Sequence, residues 1–191
     1  LNTNGEETVT SLTATGTING SGTVSALNTT LDGATVNANL GTGALTSDGD
    51  ADLNGESAAD TVNVASGTLT LDGALINNTA TVNVEAGTLA ANGTVAASSV
   101  NVAEGAALTT REAQRLNDGV ALNADGTVSL GGNETIGDLS GSGQVQNNGS
   151  DLTVTQTSDT VFSGNITGAG GLTKQGEAGF TLANGSDFTG D

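Results

Sequence analysis

The strongest concentration of chemically capable side chains is an acidic segment in the first third of the chain. Its oxygen-bearing residues alternate with small ones and are Asp48, Asp50, Asp52, Asn54 and Glu56. Counted from Asp50, acids at positions one and three, asparagine at five and glycine at six reproduce the first half of a calcium-binding loop. Thr61 stands at position twelve, where such a loop carries a bidentate glutamate. The segment predicts either calcium binding on an edge of the fold or a solvated acidic corner.

The charge balance excludes several classes of function. Three Lys or Arg against 21 Asp or Glu give the 191 residues a formal net charge of −18. A chain this acidic repels phosphate backbones and anionic lipid surfaces, so we expect no nucleic-acid binding and no docking on a membrane. No run reaches the roughly 18 apolar residues of a membrane helix, so we expect no direct membrane insertion either.

Missing residue types narrow the chemistry further. The sequence contains no histidine and no cysteine, which removes nearly every zinc, copper, haem and iron–sulfur site and the usual partners of nucleophilic serine or cysteine. Paired carboxylates could still cleave a glycosidic bond, but Arg111, Arg115 and Lys174 are the only cations available to grip an acidic sugar. We therefore predict a protein that is not an enzyme and has no cofactor apart from calcium. A polysaccharide-active fold is the least favoured alternative.

An internal repeat predicts the strands that must position these side chains. TVNV occurs at Thr61–Val64 and Thr81–Val84, SVNV follows at Ser99–Val102, and we interpret TVNA at Thr35–Ala38 as an earlier copy. A glycine bend and a second alternating run follow each copy. Alternation with a period of two is typical of half-buried strands, and a repeat of about 20 residues is typical of a solenoid.

The repeat predicts an all-β fold, a right-handed parallel β-helix of about nine or ten coils. Stacked repeats would bury Val62, Val82 and Val100 in one column and the valines two residues later in another. Between these columns, Asn63, Asn83 and Asn101 would form an outward polar ladder. The absence of proline suits interior strands, which must donate every backbone N–H to a neighbouring coil.

One segment interrupts the strand pattern. We predict a single β-helical unit over residues 1–191, with regular coils at 1–109, a short helical insertion at 110–119 and further coils at 120–191. The helical prediction rests on a capping box from Thr109 to Glu112 and on a stopping glycine, Gly119. Such an insertion would either cover apolar surface at a corner or serve as a docking knob for a partner.

The last third of the chain resembles a known family. Residues 133–143, with the sequence NETIGDLSGSG, and residues 162–174, with the sequence FSGNITGAGGLTK, are similar to segments of bacterial autotransporter passenger domains. The second segment continues to Phe188-Thr189-Gly190 and resembles the autotransporter-associated β-strand repeat. The similarity covers roughly residues 115–191.

The resemblance implies a protein exported to the surface of a Gram-negative bacterium, outside the cell. It also implies a parent protein that carries an outer-membrane β-barrel C-terminal to this fragment. Passengers of the family include adhesins, self-associating proteins, proteases and toxins, so the resemblance does not name the activity. Because we expect no enzyme, the long polar ladders favour adhesion or self-association, with a host or matrix protein, a glycan or a second copy as partner. A passive stalk or folding scaffold that presents another region is the alternative.

Overall fold

The computed structural model describes residues 1–190, which form 24 β-strands and no helix. The predicted all-β parallel β-helix is confirmed, because the strands of successive coils pair in parallel and stack into long sheets. The strands are β1 (Glu6–Ala14), β2 (Thr17–Ile18), β3 (Thr23–Leu31), β4 (Thr35–Val36), β5 (Asn39–Leu40), β6 (Ala44–Asp48), β7 (Ala51–Leu53), β8 (Thr61–Ser66), β9 (Thr68–Leu71), β10 (Thr81–Val84), β11 (Thr88–Ala91), β12 (Ser99–Val102), β13 (Ala107–Thr110), β14 (Ala121–Ala124), β15 (Thr127–Ser129), β16 (Glu134–Ile136), β17 (Leu139–Ser140), β18 (Gln144–Gln146), β19 (Leu152–Thr155), β20 (Thr160–Phe162), β21 (Asn165–Gly168), β22 (Leu172–Gln175), β23 (Phe180–Leu182) and β24 (Asp187–Phe188).

Two sheets run along most of the molecule. The first sheet has the order β1-β3-β6-β8-β10-β12-β14-β17, with β5 also pairing with β3. The second sheet has the order β2-β4-β7-β9-β11-β13-β15-β18-β21-β24. Its ten strands correspond to about ten coils, and at about 4.8 Å per strand they span roughly 43 Å.

The third side of the solenoid changes character along the chain. In the first half it is a column of single parallel bridges that joins Leu40, Ser57, Leu75, Val95 and Leu116. In the second half it is a regular three-stranded sheet, β16-β19-β22. The remaining pair, β20-β23, stacks on β17 and extends the side of the first sheet. Residues 1–190 contain no helix capable of crossing a membrane.

The repeat predicts the register of the middle coils correctly. Val82 pairs with Val62 on one side and Val100 on the other, and all three are buried. Successive strands of the first sheet lie 20, 18 and 22 residues apart, from Thr61 to Thr81, Ser99 and Ala121. The strand register is therefore the same from coil to coil, and the differences in coil length lie in the corners.

One copy of the repeat lies on a different side from the one predicted. Thr35 and Val36 form β4 of the second sheet, where they pair with Thr17 and Asp52 and their neighbours. The segment that stacks on Thr61 is instead Ala44–Asp48 of the first sheet. A short Thr-Val motif fits the outward-inward alternation of either sheet, so the motif alone does not determine which sheet the segment joins.

The short helix predicted at 110–119 is wrong. Thr109 of the supposed capping box pairs with Ala90 and Ser129 inside the second sheet, and Thr110 is the buried last residue of β13. Gln114 has a φ of 52°, which a continuing α-helix does not allow. Bends and a turn replace the helix, and Leu116 returns to the core as the last residue of the bridge column.

Candidate functional site

The acidic segment of residues 48–56 is spread along one coil. Asp48 ends β6 and accepts a hydrogen bond from the Ser66 hydroxyl at 2.9 Å, while Asp50 accepts one from the Thr68 backbone N–H at 2.8 Å. Asp52 points outward from β7, and the Asn54 amide donates to Asn37 at 2.6 Å. Glu56, the last acid of the segment, has an exposed side chain.

These five residues do not converge as a metal cluster. Within residues 1–190 no three acidic side chains form a group that could hold a metal ion. Calcium binding by the segment stays a prediction. Melting the protein after chelation and again in millimolar calcium tests it: a raised melting temperature supports calcium binding, and an unchanged one contradicts it.

Carboxylates at several corners fasten one coil to the next. Asp151 accepts a hydrogen bond from the Gly171 backbone N–H at 2.8 Å, and Asp159 accepts one from the Gly179 N–H at 2.6 Å. Asp60 accepts one from the Gly43 N–H at 3.2 Å. A charge-assisted bond of this type satisfies a backbone donor where the sheet ladder stops at a turn. Much of the negative charge is therefore used to close corners.

The pKa values of two corner acids reflect this bonding. The Ser142 hydroxyl is the main cause that lowers the pKa of Asp125, and Asn123 and the Ser142 backbone add to it against slight burial. Burial raises the pKa of Asp138, but hydrogen bonds from Thr157 and Ser158 outweigh it and leave the value below its usual range. Both acids lie in corners of the second half of the chain.

A buried carboxylate was not found from the sequence. Glu134, the first residue of β16, is 1% exposed, and its oxygens accept hydrogen bonds from the Arg115 N–H at 2.8 Å and the Leu116 N–H at 3.3 Å. These contacts join the end of the bridge column to the start of the three-stranded sheet. Burial raises the pKa of Glu134, and the two backbone hydrogen bonds offset only part of that effect. Glu134 lies in the segment 133–143 that carries the family resemblance, but nothing in the sequence indicates that its carboxylate is buried, because its partners are backbone atoms one coil away.

The Asn column is the most regular polar feature. We give this name to Asn63, Asn83, Asn101 and Asn123, which stack in register on the outer side of the first sheet. The side-chain amide N–H of Asn83 donates to the side-chain oxygen of Asn63 at 2.9 Å, and that of Asn101 donates to the side-chain oxygen of Asn83 at 2.9 Å. The ladder predicted for the first three of these residues is therefore formed.

The column belongs to a longer strip without charge. It continues through Thr46, Thr30 and Thr13 on one side and Ser140 on the other. The parallel column two residues earlier in each strand consists of Ser11, Asn28, Ala44, Thr61, Thr81, Ser99 and Ala121. We call these two columns the neutral strip. Its longer column spans eight coils, or about 34 Å.

Charge is segregated from strands to corners in most of the molecule. From β8 to β21 the strands contain one charged residue, the buried Glu134, although the whole chain carries −18. The other acids of this region stand in the turns between strands. The outer surface therefore consists of neutral amide and hydroxyl faces bordered by acidic rows.

A shallow groove lies beside the Asn column at the corner that follows the first sheet. It has a volume of about 280 Å³, and its polar lining comes from Asn83, Asn101, Asn123, Glu85 and Asp125. These residues come from three successive coils, so the register of the solenoid assembles the groove. Sequence reasoning found the Asn residues but not the groove, because the lining acids follow the repeat in the corners.

Comparisons with protein-family models, curated proteins and solved structures find no match for this chain.

Proposed function

We propose that this chain is a non-enzymatic segment of a bacterial cell-surface protein and acts in adhesion or self-association. The observation that carries the proposal is the neutral strip, an ordered row of amides and hydroxyls along eight coils of an otherwise strongly acidic molecule. A long, flat and repetitive surface suits an extended partner that makes many weak contacts in parallel. The similarity of residues 133–143 and 162–190 to autotransporter passengers supports the location outside the cell.

Preorganisation adds to this support. The Asn side chains already hold one another through hydrogen bonds, so a partner does not have to immobilise each of them on binding. Hydrogen bonds between neutral groups contribute about 1 kcal/mol each, and useful affinity therefore requires several of them in a row. The strip provides such a row.

Beads coated with the chain provide the test. We expect saturable adhesion to at least one member of an array of matrix proteins, glycans and the chain itself. Self-association of molecules with a charge of −18 should rise with salt, because the screening length falls from about 30 Å at 0.01 M to about 8 Å at 0.15 M. Failure of folded protein to bind any member of the array, including itself, would contradict the proposal.

A matched pair of variants assigns the adhesion to the strip. Thr81→Glu introduces a charge in the middle of the neutral strip, whereas Asn78→Glu introduces the same charge in an exposed turn of the same region. We expect the first variant to lose adhesion and the second to retain it. Equal adhesion by both variants would remove the neutral strip from the proposal.

The second candidate function is a stalk that presents another region. Its supporting observation is the single core cluster that extends without a break from Ala14 to Ile166. A continuous core makes the coils one stiff body, which suits a spacer. A well-folded chain that binds nothing in the array would favour this function.

A further inference from the structure

We infer that the groove beside the Asn column binds a neutral saccharide chain. The inference rests on the proposed function, since it names the class of partner that an adhesive surface of this kind would take. The groove is lined by amides, carboxylates and a small exposed apolar side chain, Ala103. Its volume of about 280 Å³ lies just below the range of about 300–1,000 Å³ for small-ligand sites, so the groove has room for one or two sugar units of a longer chain.

The hydrogen-bonding capacity of the groove is only partly used within the protein. An asparagine amide has two N–H donors and a carbonyl oxygen with two lone pairs. Among residues 1–190, Asn83 uses one donor towards Asn63 and one lone pair for Asn101, and Asn101 uses one donor towards Asn83. Each amide therefore retains at least one donor and one acceptor. A sugar hydroxyl also donates and accepts, so it can satisfy both.

The two carboxylates of the groove have different roles. Asp125 accepts hydrogen bonds from Asn123 at 3.0 Å and from the Ser142 hydroxyl at 2.9 Å, so it positions the end of the column. Glu85 is exposed, and within residues 1–190 its carboxylate makes no side-chain hydrogen bond. A carboxylate on the rim can accept hydroxyl protons from a ligand in charge-assisted hydrogen bonds.

Charge decides which partner fits. An anionic polymer would meet Glu85 and Asp125 at the groove and a molecule of charge −18 behind them. A second copy of the chain brings the same unfavourable charge. A neutral polyhydroxyl chain brings none, and it can run along the neutral strip on leaving the groove. Of these partners, only the neutral saccharide chain can satisfy the free hydrogen-bonding groups of the groove without electrostatic repulsion.

The test uses soluble dextran, mannan and laminarin as neutral probes and alginate and heparin as anionic ones. Titration of the whole chain should show saturable binding of at least one neutral polymer and none of the anionic ones. Asn101→Ala should weaken this binding about tenfold, the effect of one or two lost hydrogen bonds. Glu85→Gln, which leaves the Asn column intact, should weaken it to a similar extent.

Asn37→Ala is the matched control. Asn37 also stands in a ladder, where its side chain donates to Asn19 at 2.7 Å and accepts from Asn54 at 2.6 Å. It directly follows β4 of the second sheet and lies outside the groove. It should leave the binding of the sugar polymer unchanged. Thermal melting of each variant establishes that the solenoid is intact.

Three results would overturn the inference. They are the failure of the folded protein to bind any neutral polymer, equal binding of anionic polymers, and binding that neither groove variant weakens. If adhesion to matrix protein or to a second copy persists in those cases, the proposed function stands and only its ligand is wrong. If adhesion is absent as well, both fail.

Discussion

Two regions of this solenoid achieve the same architecture by different means. In the regular stack, residues 61–110, neighbouring coils present nearly the same side chains, and the valine, leucine and asparagine columns match one to one. In the C-terminal coils, residues 134–190, the pairing is still parallel but the core is filled by differing residues, among them Phe162, the largest fully buried side chain.

The two regions differ in how the stabilising contacts are distributed among their residues. In the regular stack a column of equal members shares the packing, and the amides of its outer side bond to one another. In the C-terminal coils single residues have special tasks: Phe162 fills the core, Glu134 joins two parts of the third side and Asp138 closes a corner. We therefore expect mutational effects to be even in the first region and concentrated in the second.

The largest expected effect tests the concentrated packing. Phe162→Ala should lower the free energy of unfolding by about 3–5 kcal/mol, because it leaves a cavity where the core depends on one large ring. Val82→Ala, in the middle of the regular stack, removes two methyl-sized groups and should cost about 2 kcal/mol. Urea unfolding of both variants measures the contrast. A larger loss of stability for Val82→Ala would contradict the expectation that packing in the C-terminal coils depends on single residues.

The next effect concerns a corner of the regular stack. Gly87 and Gly105 have φ angles of +80° and +82°, so an alanine at either position adopts the same unfavourable backbone conformation. A Cβ at Gly87 would lie 2.0 Å from the Gly67 carbonyl oxygen, whereas one at Gly105 would meet nothing within 4 Å.

We expect Gly105→Ala to cost about 1–2 kcal/mol and Gly87→Ala about 2–5 kcal/mol, because overpacking adds to the conformational cost. Thermal and urea unfolding of the two variants isolate the cost of close approach between coils. Equal destabilisation would show that the stacked corner yields without strain.

A smaller effect depends on pH and tests the joint between the regions. Because the pKa of Glu134 is raised in the folded state, its contribution to stability is present at low pH and is lost as the pH rises through that pKa. Glu134→Gln removes this titration. Relative to the variant, the wild type should gain stability as the pH falls from neutral towards 4.5, the ordinary value for a glutamate.

Unfolding free energies at a series of pH values provide the measurement. A difference between wild type and Glu134→Gln that stays constant with pH would show that burial does not govern this carboxylate.

The smallest effect has the opposite sign. The lowered pKa of Asp138 means that its contribution is present above the usual value of 3.8 and is lost as the pH falls through the folded-state pKa. Asp138→Asn should therefore cost less than about 1 kcal/mol at pH 7, since this corner is open to solvent, and the cost should vanish in acid. Two acids four residues apart would then respond to pH in opposite directions.

The sequence predicts the regular stack well because residues of the same type occupy equivalent positions in its successive coils. Val62, Val82 and Val100 recur with the same neighbours, so the strand period and the repeat length together determine their register. The first three members of the Asn column follow from the same argument. The motif at Thr35–Ala38 shows its limit, since two sheets with the same alternation accept the same short motif.

The corners and the joint are less predictable because long-range pairing decides them. Thr109 and Glu112 have the letters of a capping box, but pairing of Thr109 with Ala90 and Ser129 prevents a helix from starting there. Glu134 shows the same dependence, since its backbone partners stand one coil earlier. The acids of residues 48–56 resemble a loop motif, yet the strand between them separates their side chains.

The parallel register has a further consequence for how the chain reaches its structure. Partner strands lie about one coil apart in sequence, as from Thr61 to Thr81 or from Leu152 to Leu172. Divided by the length of the chain, this separation corresponds to a relative contact order of about 0.1, a value more typical of helical bundles than of all-β proteins. Growth from a formed edge needs no distant segment. A chain delivered end first can therefore add each coil to the last as soon as the next stretch of about 20 residues has emerged.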